Sequence, residues 1–473
     1  MRHLAPLPIL LLACAPQSKE DPRPAPTEPT ADTAETGDTG TGGSPACTLL
    51  EPEGETDPFS LHTFVYDATN VDELCADVDR LCVMGHLEVA GMEDLEPLSC
   101  VQSVAGDLRL YHTEAQTLSG LEGLESVGAD LTIAVNLHLQ TLEGLGELSI
   151  GRRLTLTDNR RLTSLDGLEQ VQIPELYIER NQRLTSLEGF SGTHLEYLLL
   201  KLNPELASLS GLESLDTLDW AVVDWLEGLT SLEGLEGLRE VGYLDLRLYQ
   251  ASVSSLEPLR ALANEGEVGT LKLTCSPQLD TLAGLDGLQT VESMSISGCE
   301  GLTSLDALSQ LETVTDGDLT LSGLPLVTSL DGLGALSSVD GRMHVMAMSG
   351  LTDLRGLDAL TSVSSTLNIW RNDNLRSLAG LEALRTTGDA AIDPKYTYLT
   401  IGLILDGNPV LEELDGLHDL ESLHAGMAIT NNTSLSQAEI DELVLAIDEL
   451  TGTWWPTATA PERWRKTDSI ASF

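Results

Sequence analysis

The clearest unit of a repeated pattern in this 473-residue chain reads Leu154-Thr-Leu-Thr-Asp-Asn159-Arg-Arg-Leu162-Thr-Ser-Leu165-Asp-Gly-Leu168-Glu-Gln-Val171. Its second half, Leu-x-Gly-Leu-x-x-Leu with substitutions, recurs fourteen times. The first Leu of the copies stands at positions 95, 118, 142, 165, 187, 209, 232, 256, 282, 305, 330, 354, 378 and 414. Neighbouring copies are 22 to 26 residues apart, except for a last step of 36. Self-similarity at a fixed period indicates a repeat architecture.

The first half of the unit has the pattern of a short strand followed by a turn, and Leu176-Tyr-Ile-Glu-Arg-Asn181-Gln-Arg-Leu184 is another example. Periods of about 20 to 29 residues with one short strand each are typical of leucine-rich and related solenoids. One repeat cannot bury its own aliphatic face, but stacked repeats share a core, with successive strands pairing in parallel ~4.8 Å apart. The sequence therefore predicts a repeat solenoid of parallel β structure, of the right-handed β-helix or leucine-rich-repeat-like type.

Asparagine and glycine occupy fixed places in the repeat. The asparagines that follow the strands stand at 136, 159, 181, 203, 372, 408 and 432. Stacked amides there can satisfy backbone groups of the turn, so we interpret them as structural and not as ligands. Glycine fills its place in eleven of the fourteen motifs, but the others have Pro97, Pro258 and Ala307. Because proline fixes φ near about −65°, we predict a tight corner without room for a side chain, and not a positive φ.

Six cysteines lie beyond position 14: Cys47, Cys75, Cys82, Cys100, Cys275 and Cys299. An even number in an exported chain indicates disulfides, although six cysteines leave their pairing open. Cys299 takes the Asn position of its repeat, and Cys275 lies one place earlier in the preceding repeat. Strands ~5 Å apart would bring their Cα atoms within disulfide range. We predict a disulfide between these two, with two stacked buried thiols as the alternative.

Residues 1–14 are interpreted as an export signal, with a basic start and an apolar run too short to span a bilayer. The stretch Leu11-Leu12-Ala13-Cys14 resembles a bacterial lipobox, which makes Cys14 the predicted site of lipid attachment. An ordinary secretory peptide cut nearby is the alternative. Residues 15–46, rich in Pro, Thr, Asp and Gly, are predicted to be a disordered acidic tether.

The remaining boundaries follow the repeats. Residues 47–94 are predicted to form an N-terminal cysteine-containing cap and first repeat, and residues 95–435 the solenoid. Ser436-Gln-Ala-Glu439 is a capping box, so residues 436–450 are predicted to form a C-terminal capping helix. The Trp-containing tail, 451–473, either binds a partner or folds back on this cap. Residues 385–402, where the repeat period lengthens to 36, form either a functional loop or a division between two solenoid units.

The stretches Cys82-Val-Met-Gly-His-Leu-Glu-Val89 and Asn181 to Tyr197 resemble the receptor L-domain. That domain is the leucine-rich right-handed β-helix of insulin and epidermal growth factor receptor ectodomains, and it also occurs in fungal wall and bacterial surface proteins. The resemblance covers about residues 76 to 435 and implies extracellular recognition without catalytic residues. The chain lacks the cysteine-rich modules and the kinase of those receptors, so the resemblance does not imply signalling.

The net charge is −50, from 75 acids and 25 bases, which argues against binding nucleic acid or an anionic membrane face. If the residues of each strand alternate between facing in and facing out, the second and fourth positions of the strands form two outward-facing columns. In the repeat near residue 220, these positions are predicted to be Asp219 and Ala221. The 28 positions of the two columns have four acids and four bases. The 28 positions flanking the Gly-Leu of the motif have sixteen acids and only Arg260 and Arg355 as bases. The acidity thus belongs to the corner edge, and the sheet face is neutral.

A neutral, hydroxyl-rich face with a few aromatics suits a protein, peptide or glycan partner. The candidate contact residues are Arg109, Tyr111, Tyr177, Lys201, Arg247, Met346 and Trp370. The acidic edge is interpreted as a solubilising surface, with divalent-cation binding as a minor alternative. No zinc-protease, phosphate-loop or nucleophile-elbow motif occurs, and the nine histidines are scattered, so neither catalysis, a cofactor nor a metal is predicted.

The predicted function is non-enzymatic recognition or adhesion by a protein lipid-anchored to the bacterial envelope, at the outer membrane or cell surface. Contact with the membrane is expected only through the anchor, and contact with nucleic acid is not expected. The alternative is a passive spacer protein of the envelope.

Overall fold

The structure is a computed structural model that describes residues 47–50, 63–67, 74–75, 78–388, 401–451 and 454–455. The predicted signal peptide with Cys14, the acidic tether, most of residues 385–402 and most of the Trp-containing tail lie outside the described residues.

One sheet of seventeen strands runs along the molecule, and every pairing in it is parallel. Numbered along the chain and given in spatial order, the strands are β2 (Thr63–Asp67), β4 (His86–Ala90), β6 (Leu108–Tyr111), β8 (Leu131–Ala134), β10 (Arg153–Thr157), β11 (Glu175–Glu179), β12 (His194–Lys201), β13 (Thr217–Asp224), β14 (Glu240–Arg247), β15 (Glu267–Thr274), β17 (Ser293–Ser297), β19 (Leu319–Ser322), β21 (Met343–Met346), β23 (Leu367–Trp370), β25 (Leu403–Asp406), β27 (Met427–Thr430) and β29 (Trp454–Trp455). Within the described residues, β2 and β29 each pair on one side only, so the sheet has two open ends.

Shorter strands precede the main strand in many coils and form two further parallel sheets. The first contains β1 (Thr48–Leu50), β3 (Leu81–Val83), β5 (Val101–Val104), β7 (Ser126–Val127) and β9 (Ser149–Ile150). The second contains β16 (Thr290–Val291), β18 (Thr313–Val314), β20 (Ser338–Val339), β22 (Ser362–Val363), β24 (Thr386–Thr387), β26 (Ser422–Leu423) and β28 (Glu449–Leu450). Between these two sheets, β12 to β15 are each eight residues long, against two to five for the other strands.

The repeated leucines build the core as the periodicity predicts. In β10, Leu154 and Leu156 are fully buried, whereas Thr155 and Thr157 between and after them face outward. Complete burial of one Leu side chain contributes about 1.5–3 kcal/mol, and each coil adds several to a continuous core. The predicted parallel β solenoid is confirmed.

The C-terminal helix α2 (Gln437–Ala446) is present, and its first turn is capped by Ser436, whose hydroxyl accepts a hydrogen bond from the Glu439 backbone N–H. A shorter helix, α1 (Arg260–Glu265), precedes β15. Leu443 of α2 packs in the core. The helix is not the last element, because β28 and β29 follow it and extend both sheets by one strand. Helix α2 therefore lies within the last coil. The edge of β27, which a capping helix was expected to cover, is paired with β29 instead.

The asparagines form two ladders, which confirms their structural interpretation. In the first ladder, the backbone N–H of Asn159 donates to the Asn181 side-chain oxygen at 3.0 Å, and that of Asn181 donates to the Asn203 oxygen at 2.9 Å. Each side-chain nitrogen donates to a strand carbonyl, as Asn181 does to Leu156 at 2.9 Å. The second ladder joins Asn372, Asn408 and Asn432 in the same way.

Replacing Asn432, at the end of its ladder, with Ala should lower the free energy of unfolding by about 2 kcal/mol. The change removes the acceptor of the Asn408 N–H and the donor to the Leu405 carbonyl. Each buried group left unpaired costs about 1–3 kcal/mol, and the lower end applies because this turn is near solvent. The measurement is urea unfolding. As a control, the exposed Asn374→Ala should cost under about 0.5 kcal/mol, and an equal loss for both would contradict the ladder.

The prediction of a corner without room for a side chain is confirmed, because a Cβ added at any motif glycine would lie within 2.3 Å of the backbone of the preceding coil. The prediction that these glycines do not need a positive φ is wrong in nine of eleven copies. Glycines 120, 144, 167, 189, 211, 234, 284, 356 and 380 have φ between 102° and 115°, a region open to Gly because it lacks Cβ. The other five corners, at Pro97, Pro258, Ala307, Gly332 and Gly416, form short 3-10 turns instead. Two backbone conformations therefore build the same corner, and proline occupies only the one that its fixed φ allows.

Three disulfides stabilise the described part of the chain. Cys275 is bonded to Cys299, with Cα atoms 4.7 Å apart, inside the expected range. Cys47 is bonded to Cys82, and Cys75 to Cys100. The Cys275–Cys299 bond lies where the Asn ladder is interrupted, since Ser276 and Cys299 occupy the asparagine position in the two coils that it joins.

Candidate recognition surface

The outward columns need one correction, in β13. The structure pairs Leu199 with Val222 and Lys201 with Asp224, so Val222 and Asp224 belong to the columns in place of Asp219 and Ala221. The long strands β12 to β15 contain an extra residue near their start. Leu218 and Ala221 both face inward, and the alternation after Ala221 follows its buried partners in the neighbouring strands. The corrected columns still contain four acids and four bases.

The extra residue creates a further outward position that the sequence analysis missed. It places Tyr197, Trp220 and Tyr243 beside one another on β12, β13 and β14. The Trp220 and Tyr243 rings stack with centroids 3.9 Å apart, and Tyr197 stacks on Tyr177 at 4.9 Å. The available signal was regular: each of the three aromatics directly precedes the inward residue at which the regular alternation of its strand begins, Leu198, Ala221 or Leu244.

We call Tyr177, Tyr197, Trp220 and Tyr243 the aromatic row, and a cation lies near the ring at each of its ends. The Arg153 guanidinium lies 4.0 Å from the centre of the Tyr177 ring, and Lys272 Nζ lies 5.1 Å from that of Tyr243. Cation–π contacts of this kind contribute about 0.5–2 kcal/mol each. Each ring of the row therefore has one face against another ring, and the Tyr177 and Tyr243 rings also contact a cation, so the row stiffens the sheet.

A polar cluster lies at the other end of the same strands. Arg247 Nε donates to Asp245 Oδ2 at 2.9 Å, and Arg247 Nη1 donates to Asp224 Oδ2 at 3.3 Å. The two carboxylate side chains are only 5% and 6% exposed, whereas the guanidinium is 40% exposed. The acids are thus buried beneath Arg247 and hold it in place. The group of this cluster that is exposed to solvent is the Arg247 guanidinium.

Tyr249 completes this cluster, and its hydroxyl donates to Asp224 Oδ1 at 3.2 Å. Burial and the Asp224 carboxylate raise the pKa of Tyr249 to about 12. The phenol therefore stays protonated, and remains a donor, across the physiological range. Trp225 meets the Tyr249 ring edge to face at 5.7 Å, and the two side chains are 39% and 38% exposed.

We call the exposed part of this region the central patch: Lys201, Trp225, Arg247, Tyr249 and Lys272. The described part of the chain contains only two lysines, Lys201 and Lys272, and both are in the patch. Trp225 has φ +55°, which this turn requires, because the same position in other coils is also left-handed. The fold thus dictates the backbone there, but not the indole side chain.

The other sequence candidates are dispersed over the sheet. Arg109 and Tyr111 are on β6, three strands from β11, and Met346 and Trp370 are on β21 and β23, four or more strands beyond β14. At ~4.8 Å per strand these groups are about 14 and 19 Å from the central region. The structure brings together Lys201 and Arg247, with Tyr177 in the nearby aromatic row, and it does not bring the other four to the same place.

Local partners explain several of those four residues. Arg109 Nη2 lies 2.8 Å from Asp107 Oδ2. Burial and a hydrogen bond with Glu88 raise the pKa of Tyr111 to about 12. The Arg371 guanidinium lies 4.5 Å from the centre of the Trp370 ring. These are contacts within the solenoid.

The acidic corner edge has a structural role that the sequence analysis missed. In seven coils the acid two residues after the motif glycine accepts the glycine N–H, as Glu213 does from Gly211 at 2.9 Å. Many of these acids therefore cap the corner in addition to keeping the surface charged. Among the described residues, no three His, Cys, Asp or Glu side chains are grouped as a metal site would need.

The coil geometry and the leucine pattern define the class of protein: a leucine-rich parallel β solenoid. No protein-family model and no curated protein matches the chain. A leucine-rich-repeat protein of Leptospira interrogans is 14% identical, covering 82% of this chain and 99% of its own, with a TM-score of 0.21. A chain of the TLR13–ssRNA13 complex is 16% identical, covering 78% of this chain and 75% of its own, with a TM-score of 0.14. Similarity at this level carries no argument about function.

Proposed function

We propose that this chain is an exported, non-enzymatic recognition protein that binds a protein, peptide or glycan through its sheet face. It is anchored to the bacterial envelope by a lipid on Cys14, and its solenoid is of the receptor L-domain type. Three disulfides support export, because such bonds persist in oxidising compartments. No helix in the described part of the chain has the length and apolar character needed to cross a membrane.

One observation carries the proposal: charged and aromatic residues depart from the repeat side by side on the outer face of β12 to β15. On β8, β10, β17 and β19 the outward columns contain only Thr, Ser and Ala. On β12 to β15 they contain two buried acids, an arginine and both lysines, with Trp225 and Tyr249 in the adjoining turns. The inward residues there remain aliphatic and buried. Departures from local rules without gain to the core are expected at functional sites.

An array of proteins and glycans probed with the exported chain tests recognition against a passive spacer role. We expect specific binding that falls at least about tenfold when Trp225 is replaced with Asn, because exposed Trp side chains dominate interface energetics. Asn431 already occupies the same left-handed position in a later coil, at φ +56°, so the variant should fold normally. The matched control is Leu137→Ala, which removes an exposed apolar side chain from the turn after β8. Absence of specific binding would favour the spacer, and equal loss in both variants would mean that binding does not depend on Trp225.

The anchor has its own test. Cells that produce the chain and are fed a clickable fatty acid should label the wild-type protein, and Cys14→Ala should abolish the label, because acylation would use the thiol and amine of that residue. Labelling that persists in the variant would show that the lipid is elsewhere, and labelling of neither protein would support an ordinary secretory peptide.

A further inference from the structure

We propose that the central patch docks a protein partner that presents a carboxylate to Lys201 and Arg247 while Trp225 and Tyr249 pack against its surface. This inference rests on the proposed recognition function and names the partner class and the place of contact.

The accessible charges of the patch are cationic. A guanidinium has five N–H donors, and Arg247 directs three toward Asp224 and Asp245, which leaves two. Lys201 forms no ion pair with any described residue, although its strand adjoins that of Asp224. The two acids are almost completely buried. An incoming carboxylate would therefore meet unused donors, and bidentate pairing with a rigid arginine is among the stronger polar contacts.

The shape and the aromatics of the patch favour a protein over other ligands. Small-molecule sites are concave, whereas these residues lie on a sheet face and its adjoining turns. A groove lined by Thr230, Glu233, Glu236 and Glu257 lies on the corner edge instead. Sugars stack on open ring faces, but every ring of the aromatic row next to the patch has one face against another ring, and Trp225 and Tyr249 meet edge to face. Exposed Trp, Tyr and Arg grouped together are the usual composition of a protein hot spot.

The surroundings of the patch suit the rim of such an interface. Stable protein interfaces bury about 800 Å² per partner, more than the patch alone provides. The Thr and Ser columns of β10, β17 and β19 extend the same face on both sides with neutral, hydrogen-bonding side chains. The net charge of −50 repels a strongly acidic molecule, so the partner should be neutral or basic overall, with a local carboxylate at its contact point.

Site-specific photo-crosslinking of the full chain in the cells that produce it tests this inference. A benzophenone amino acid replaces Gln250, an exposed neighbour of Tyr249, and in separate chains replaces Thr132 or Thr320 on the same face but outside the patch. We expect a discrete protein adduct at 250 that falls at least about tenfold with Lys201→Gln and is unchanged with Leu137→Ala. The crosslinked partner segment should contain an Asp or Glu whose amide variant weakens binding of the purified pair about tenfold.

Each other outcome is decisive. A protein adduct only at 132 or 320 would overturn the patch but leave recognition by the sheet face standing. A heterogeneous glycan adduct at 250 would overturn the partner class. A protein adduct at 250 that is insensitive to Lys201→Gln would overturn the role of the carboxylate. Adducts at none of the three positions would contradict both this inference and the proposed function.

Discussion

Replacing Arg247 with Met should lower the free energy of unfolding by about 4 kcal/mol, because it leaves two buried carboxylates without their cation. Asp224 and Asp245 have side chains that are 5% and 6% exposed, and Arg247 is the cation that both of them contact. Removing one partner of a buried ionic cluster costs about 3–5 kcal/mol. The guanidinium is itself 40% exposed, so solvent screens part of the interaction and the upper limit does not apply. Urea unfolding at neutral pH measures the loss.

A triple variant separates this electrostatic cost from lost packing. When Asp224→Asn and Asp245→Asn accompany Arg247→Met, no buried charge remains, and most of the lost stability should return, since replacing a whole buried cluster with neutral groups is nearly cost-free. The amide oxygen at 224 can still accept the Tyr249 hydroxyl. If the triple variant is as unstable as Arg247→Met, then shape and not charge holds the cluster together.

Gly211→Ala should cost a similar amount, about 4 kcal/mol, through the backbone of the corner. Gly211 has φ +110°, where an L residue is strained by about 1–3 kcal/mol. An added Cβ would also overlap the carbonyl of Leu187 in the preceding coil, and overpacking adds about 1–3 kcal/mol. Thermal and urea unfolding would both show the effect.

Gly123 provides the matched control for Gly211→Ala. It is exposed, its φ is not positive, and an added Cβ would come no closer than 3.4 Å to a neighbour, the Ser99 carbonyl oxygen. Gly123→Ala should therefore change stability by under about 0.5 kcal/mol. Equal effects at both positions would mean that the corner does not need glycine for its conformation.

The architecture could be predicted from the sequence because every coil repeats the same inward positions. Leu154, Leu156, Leu162, Leu165 and Leu168 all carry 0% exposure, as their spacing indicated. The Asn ladder was equally predictable, since an amide in a buried turn must bond to backbone groups of its neighbours. The motif glycines were misjudged because one conformation was assumed for all fourteen corners, whereas the structure has two.

The candidate site was only partly predictable, and the reason is register. If positions in β13 are counted from Leu218, one set of residues is expected to face inward. The strand instead follows the inward and outward alternation that starts at Ala221, because Ala221 pairs with buried residues of β12 and β14. Lys201 and Arg247 could be identified from the sequence. Trp225 and the buried Asp224 could not, because long-range pairing and not local pattern brings them to this region.

The central claim is that Lys201, Trp225 and Lys272 of the central patch serve recognition and not folding, and stability measures this without knowledge of the partner. A variant with Lys201→Thr, Trp225→Asn and Lys272→Thr introduces residue types that other coils have at the same positions. Thr157 and Thr155 lie in the same outward columns as Lys201 and Lys272, and Asn431 occupies the same turn position as Trp225. Functional residues are often replaced without loss of stability. The free energy of unfolding should stay within about 1 kcal/mol of wild type, or rise. A fall of more than about 2 kcal/mol would show that these side chains hold the solenoid together, and would contradict the account.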